Sequence, residues 1–206
     1  MTATITALLV DMNGLFRHWR DSGARTAETL GGLPEGTINR YAYDHPSYRL
    51  ARVGLLTDQQ WADSVSDRLA ADFGESVRDA LVHWRKDRGL RSASMVTLLN
   101  EIRTHVPVGV LSNSTDALHD DLRHHGIEFD YVLPSADLGV DKPSPHAYRI
   151  AAERMGHAPT SMAYFDDEPT FGTAATSVGL HAHLFTTQEH FTSALTRYGL
   201  PLTRPI

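Results

Sequence analysis

Three carboxylates stand where short apolar runs end. Asp11 follows Ile5 to Val10, and the pair Asp166 and Asp167 follows Met162 to Phe165. Ser112 and Asn113 follow a further run, Val106 to Leu111, and Asn13 lies two residues beyond Asp11. Lys142 sits between these segments in the run Asp141-Lys142-Pro143-Ser144-Pro145. Carboxylates gathered in one crevice repel one another; a divalent cation relieves that repulsion, and a set of oxygen ligands suits Mg²⁺. A lysine with a hydroxyl and an amide beside it suits an anionic group, most simply a phosphate. The expected partner is therefore a small-molecule substrate that carries phosphate.

These side chains can meet only if the runs become neighbouring strands. The runs are Ile5 to Val10, Val106 to Leu111, Tyr131 to Leu133 (with Ser135 just beyond) and Met162 to Phe165; Leu180 to Phe185 is a fifth. Continuous apolar runs of this length suit strands buried on both faces of a parallel sheet. Helical stretches separate the later runs. Asp116 to His125 follows the capping residues Asn113, Ser114 and Thr115 and stops at Gly126. Ser144 to Met155 opens on a cap-and-proline pair and stops at Gly156, Pro169 to Val178 stops at Gly179, and Gln188 to Tyr198 stops at Gly199. Alternating strands and helices predict an α/β sheet of the doubly wound kind, in which ligands bind at the carboxyl ends of the strands.

The interval from Leu15 to Ser92 reads differently and shows no convincing strand. Thr57 caps a helix over Asp58 to Phe73, with Leu56, Trp61, Val65, Leu69 and Phe73 at helical spacing. Glu75 to Arg88 is a second helix, Thr37 to Tyr43 a short one, and Gly31 to Gly36 a loop. Such a crossover is too long for one connecting helix. It predicts a helical insertion over the strand ends, with Ser92 to His105 leading back into the sheet.

Composition limits the alternatives. The 206 residues, 41% hydrophobic, suffice for one core domain with a small insertion. A net charge of −6 argues against nucleic acid or an anionic membrane as partner. With no cysteine, disulfides, thiolate metal sites and cysteine nucleophiles are excluded. The start MTATITALLVDMNG lacks a basic leader, and no apolar run approaches the ~20 residues of a spanning helix, so a cytoplasmic protein is expected. The 12 histidines do not form a metal set: His124 and His125 close a helix, and His181 and His183 share a strand face without a third ligand. Either a monomer or a homodimer is compatible with the sequence.

Taken together, LLVDMNGL (8–15), VGVLSNST (108–115), Lys142-Pro143-Ser144-Pro145 with Tyr148 following, and AYFDDEP (163–169) resemble the four ordered motifs of the haloacid dehalogenase (HAD) superfamily. The pattern is most similar to the branch that includes the N-terminal phosphatase domain of soluble epoxide hydrolase. The resemblance implies a Rossmann-like parallel-sheet core over residues 1–15 and 92–206, with a helical cap over 16–91. It implies an Mg²⁺-dependent hydrolase, in first place a phosphatase, whose nucleophile Asp11 forms an acyl-phosphate. Asp11, the backbone carbonyl of Asn13, and Asp167 with Asp166 would hold the metal. Ser112 and Lys142 would bind the phosphoryl oxygens, and Asn113 would orient the site.

Two residues depart from that pattern. Asn13 replaces the second aspartate, which serves as general acid and base, and Leu15 replaces a threonine. An amide exchanges no proton at neutral pH, and such help is worth about 10²- to 10⁴-fold. One reading is a phosphatase for substrates with a good leaving group, assisted by water or by His18 or His45. A second is a dehalogenase, which needs no acid for the leaving halide, although Asp166 and Asp167 count against it. A third is a catalytically impaired domain that binds a ligand or a protein partner. Some of Arg17, His18, Trp19 and Arg20 are expected to face the substrate. Tyr41, Tyr43, His45 and Tyr48 belong to the cap, and Trp61 and Trp84 are expected to be cap core and not a ligand platform.

Overall fold

A strand without a polar side chain is stable only where both faces are covered. Ala7–Val10 (β1) accordingly occupies the middle of a five-stranded sheet in the computed structural model, which describes residues 4–202. The chain continues through β2 (Arg17–His18), α1 (Ser22–Gly31), α2 (Thr37–Tyr43), α3 (Pro46–Arg52), α4 (Asp58–Phe73), α5 (Val77–Lys86) and β3 (Leu90–Arg91). It then alternates: α6 (Ala93–Ile102), β4 (Val108–Ser112), α7 (Leu118–His125), β5 (Tyr131–Pro134), α8 (Ser135–Leu138), α9 (Pro145–Met155), β6 (Met162–Asp166), α10 (Pro169–Ser177), β7 (His181–Leu184) and α11 (Gln188–Arg197). The strand order is β5-β4-β1-β6-β7, and every pair is parallel. This is the expected α/β architecture.

The pleat sends alternate residues of β1 to opposite faces. Leu8 and Val10 pack with α6, α7 and α11, through Leu99, Leu122 and Phe191 among others. Ala7 and Leu9 pack with α9, through Tyr148, Ala151 and Met155. Each fully buried aliphatic side chain of this kind contributes roughly 1.5–3 kcal/mol. Helices α1 to α5 surround a separate apolar cluster that includes Ile38, Trp61, Val65, Leu69 and Trp84.

The long interval differs from expectation in two ways. It contains a two-residue antiparallel pair: Arg17 is opposite Arg91, and His18 opposite Leu90. So short a pair has no hydrophobic alternation for a sequence to show. It ties the outgoing and returning chain together beside the sheet. Helices α1 and α3 were also not apparent, because α1 buries mainly Ala24 and Ala27 and α3 buries Ser47 and Ala51. Small residues carry little periodic signal. They serve close packing here: a Cβ at Gly23 of α1 would lie 2.5 Å from the Asp87 Cβ just after α5.

Helix ends follow local chemistry. Thr57 and Gln60 form a reciprocal capping box at the start of α4. Helix α7 begins at Leu118, later than expected, and Asn113, Ser114 and Thr115 do not cap it in the usual way. Their neighbourhood is used to join the layers instead. The Asp58 backbone N–H donates to Asp116 Oδ1 (2.7 Å), and Thr115 Oγ1 donates to Asp58 Oδ1 (2.8 Å). Among the described residues, no helix is long and apolar enough to cross a membrane.

Candidate active site

Parallel pairing places the polar residue after each strand on the same edge of the sheet. Val10 pairs with Val110 on one side and with Phe165 on the other. Asp11, Ser112 and Asp166 therefore emerge together, and all three are buried. Lys142, 2% exposed, enters from the segment before α9 and bridges two of them. Its Nζ donates to Asp11 Oδ1 at 2.8 Å and to Asp166 Oδ2 at 2.6 Å. The ammonium also lies 4.8 Å from the centre of the Phe171 ring. A buried charge this deep is tolerable only when paired.

The backbone of Lys142 is clasped as well. Asn113 Oδ1 accepts from Lys142 N (2.7 Å) while Asn113 Nδ2 donates to Lys142 O (2.8 Å). Asn113 thus positions the lysine with both ends of its amide. Ser112 is the converse case: its Oγ is buried and has no hydrogen-bond partner among the described residues. Leaving a buried hydroxyl unpaired costs about 1–3 kcal/mol, which marks Ser112 Oγ as a group waiting for an acceptor or donor.

Asp166 and Asp167 differ in availability. Asp166 Oδ2 accepts from Lys142 and from the Tyr164 hydroxyl, and Oδ1 accepts from Glu168 N. Asp167 packs instead against Gly14, where a Cβ would fall 2.0 Å from Asp167 Oδ2. Gly14 also adopts φ +75°, a conformation that side-chain-bearing residues rarely adopt. Carboxylate oxygens of Asp11, Asp166 and Asp167 lie within 4.8 Å of one another. Burial pushes the Asp11 carboxyl up from its ordinary range; the Lys142 charge opposes this and the Asp166 charge adds to it. Burial, then Asp166, likewise raises Asp167. These carboxylates carry an unresolved repulsion that a hard divalent cation would relieve, and the glycine leaves room for the third to approach.

Beside this cluster lies a cavity of about 670 Å³ between the sheet edge and helices α1 to α5. Asn13 and Asn113 are on its sheet side; Trp19, Tyr43, Tyr48, Trp61 and Trp84 are among its walls. Trp61 and Trp84 pack edge to face, 5.5 Å apart, and belong to the helical cluster. They are core and cavity wall at once, which corrects the expectation of core alone. Several charged groups around the cavity are mutually paired, whereas Asp21, Arg40 and Asp44 line it without an ion pair among the described residues. Arg17 Nη1 donates to Asp121 Oδ2 (2.5 Å), Arg88 Nη1 to Asp121 Oδ1 (3.0 Å), and Arg85 Nη2 to Asp58 Oδ2 (2.6 Å).

The two histidines named from sequence are not at this site. On β2, Arg17 points inward, 3% exposed, so His18 at the next position points to solvent. His45 caps α3, its Nδ1 accepting from Ser47 N (3.2 Å), and does not line the cavity. Arg17 and Trp19 do face the cavity, whereas Tyr41 bonds Asp72 on the surface. Asp121 and Arg88 carried no sequence signal, since Asp121 meets Arg17 from 104 positions away.

Comparison with known proteins places this geometry. A family model for haloacid dehalogenase-like hydrolases matches residues 24–179. The phosphatase MT3486 of Mycobacterium tuberculosis is 34% identical over 153 residues, covering 64% of this chain and 66% of that protein. Haloacid dehalogenase-like hydrolase domain-containing protein 3 of Mus musculus is 28% identical over 167 residues, covering 80% of this chain and 63% of that protein. This chain thus spans just under two thirds of the length of both relatives. Among solved structures, a HAD family enzyme of Bacteroides thetaiotaomicron, in complex with magnesium and inorganic phosphate, superposes with a TM-score of 0.73 at 17% identity. The match covers 92% of this chain and 98% of that one. With matched motifs, fold and family model in agreement, the chain belongs to the haloacid dehalogenase-like hydrolases.

Proposed function

We propose that this protein is an Mg²⁺-dependent phosphatase for a small phosphorylated metabolite, working through a covalent phosphoryl intermediate on Asp11. The observation that carries the reading is the bridge of Lys142 between Asp11 and Asp166, with Asp167 drawn into the same few ångströms. Asp11, Asp167 and the Asn13 carbonyl would hold the cation, with Asp166 as the residue that fastens Lys142. When bound, Mg²⁺ supplies the positive charge that shields a carboxylate approaching a phosphate. Lys142 Nζ and Ser112 Oγ are the donors available to the phosphoryl oxygens. Helices α1 to α5, as a cap over 16–91, would exclude water and shape the leaving-group side. The relative named a phosphatase and the neighbour holding magnesium and phosphate support the same assignment.

The test is phosphate release from a panel of phosphorylated metabolites, with Mg²⁺ and with a chelator. Activity is expected only with the metal, and Asp11→Asn should lower it by roughly 10⁴-fold or more, as loss of a covalent nucleophile does. Mass spectrometry must accompany this, because Asn13-Gly14 is a deamidation-prone pair. Asn13 also favours a second reading, a dehalogenase, since halide needs no acid to leave. Turnover of a 2-haloacid that survives the chelator would establish that reading and sink the phosphatase.

A further inference from the structure

Asn13 stands where an acid would donate a proton, and its surroundings dictate what it does instead. Arg17 Nε donates to Asn13 Oδ1 at 3.0 Å, and Trp19 Nε1 donates to the same oxygen at 3.2 Å. Neither group can accept a hydrogen bond, so the amide cannot be reversed in place. Its oxygen must face Arg17 and Trp19. Nδ2 has no hydrogen-bond partner among the described residues, and Asn13 lines the cavity. Arg17 is itself held by Asp121, and its guanidinium lies 4.6 Å from the Trp19 ring centre. The amide is therefore a donor of fixed direction.

We infer that Asn13 Nδ2 donates a hydrogen bond to the leaving-group oxygen without transferring a proton, and that the adjoining cavity selects aryl phosphates. The inference rests on the phosphatase reading and narrows it. Asp11 attacks phosphorus, the bond from phosphorus to the aryl oxygen breaks, and its electron pair leaves on that oxygen as a phenolate. Asn13 steadies the phenolate charge, and the phenolate takes its proton from water after departure. Water then attacks phosphorus, the bond to Asp11 breaks, and inorganic phosphate leaves with Asp11 restored as a carboxylate; the surplus proton passes to solvent.

Two independent features agree on this class. A phenol ionises near pH 10, as tyrosine does, whereas an aliphatic alcohol is about as weak an acid as water, near 15.7. Only the former leaves readily with a hydrogen bond in place of a proton. The cavity wall is the second feature. Three of its four arginines pair with acids of the wall, Arg17 and Arg88 with Asp121 and Arg85 with Asp58, while Arg40 lies over the Tyr41 ring. What remains for a ligand includes the ring surfaces of Trp19, Tyr43, Tyr48, Trp61 and Trp84. Burial, followed by the neighbouring Tyr48, lifts the Tyr43 hydroxyl to about 12, so this ring stays a neutral phenol at neutral pH. A volume of about 670 Å³ accommodates a small aromatic alcohol.

The experiment compares phenyl phosphate, cyclohexyl phosphate and acetyl phosphate as substrates of the Mg²⁺-loaded protein, with phenol and cyclohexanol as inhibitors. Phenyl phosphate should exceed cyclohexyl phosphate in kcat/KM by about 100-fold or more, the scale of a missing proton donor. Asn13→Asp should shrink that ratio by about tenfold or more by raising the alkyl ester, since it restores the proton. Trp19→Phe keeps the ring and removes one anchor of Oδ1; kcat for phenyl phosphate should fall several-fold with KM held, a split that mere loosening of the fold would not give. Phenol should inhibit about tenfold more tightly than cyclohexanol, as offset ring contacts allow. Asp11-dependent turnover that is equal for phenyl and cyclohexyl esters overturns this inference and leaves the phosphatase standing. Acetyl phosphate matching phenyl phosphate in kcat/KM overturns the aromatic assignment. No Asp11-dependent release from any of the three, with release from the metabolite panel intact, overturns this inference alone; silence on the panel as well overturns both readings.

Discussion

The strand-end cluster and the cavity wall are neighbours built on opposite principles. In the first, a few charges are buried within one another's reach, Lys142 against Asp11 and Asp166, with the exposed Asp167 beside them against Gly14. Adjacent parallel strands set its geometry, so each residue is placed by the backbone on which it sits. The wall is assembled from short helices whose side chains come from distant positions, and its stability is that of ring and aliphatic packing. A cluster of buried charges has no partial solution; losing one partner strands the others. A packed wall degrades by increments. On the proposed reading, chemistry would be concentrated where tolerance is least, and substrate choice left to the part that can change gradually.

Removing the central cation should separate the two regions most sharply. Lys142→Met leaves Asp11 and Asp166 buried without their partner, and unfolding by denaturant should show a loss of about 3–5 kcal/mol. An unchanged midpoint would mean that water, not Lys142, compensates these carboxylates. Gly14→Ala follows in size. Asp167 must move from a position 2.0 Å from the new Cβ, and calorimetric titration should show Mg²⁺ affinity weakened by about 10- to 100-fold. Unaltered binding would show that Asp167 is not a ligand.

Thr57→Ala probes the helical layer alone. It breaks the capping box of α4 and should cost about 1 kcal/mol in stability, while Mg²⁺ affinity stays at the parent value. A parallel loss of metal binding would show that the two regions are energetically one. The smallest effect is expected at the far edge of the sheet. His183 lies over Phe165, with ring centres 4.8 Å apart, and Nε2 meets the Tyr198 hydroxyl at 2.8 Å. Burial, then the Arg197 charge, lowers its pKa. The unfolded chain therefore binds the proton more readily, and stability present above pH ~6.5 is lost as pH falls through and below that value. Thermal unfolding between pH 7.5 and 5 should show a shallower decline in His183→Gln than in the parent; identical slopes would assign the acid sensitivity elsewhere.

How much of this was legible depends on which periodicity a residue obeys. The inner strands β1, β4 and β6 announce themselves, because a strand covered on both faces must be apolar throughout and its first polar residue must lie at its end. Asp11, Ser112 and Asp166 were identifiable on that ground, Lys142 from its Lys-Pro-Ser-Pro run, and the helix of Asp58–Phe73 from its cap and spacing. His18 misled because a two-residue strand offers no alternation from which to read the inward face, which Arg17 takes. His45 misled because a ring nitrogen beside a proline-led helix serves as a cap.

The sequence by itself determined which segments become strands, which polar residues close them and the absence of an acid at position 13, because these follow from residue type and from periodicities that act over a few positions. Tertiary structure alone decided that Asp166 is saturated by Lys142, Tyr164 and Glu168 while Asp167 is not. It alone decided which end of the Asn13 amide faces the cavity. Those outcomes depend on donors such as Arg17, which Asp121 anchors across 104 positions. The direction of a hydrogen bond is settled by what stands opposite, and only folding brings the opposite side into place.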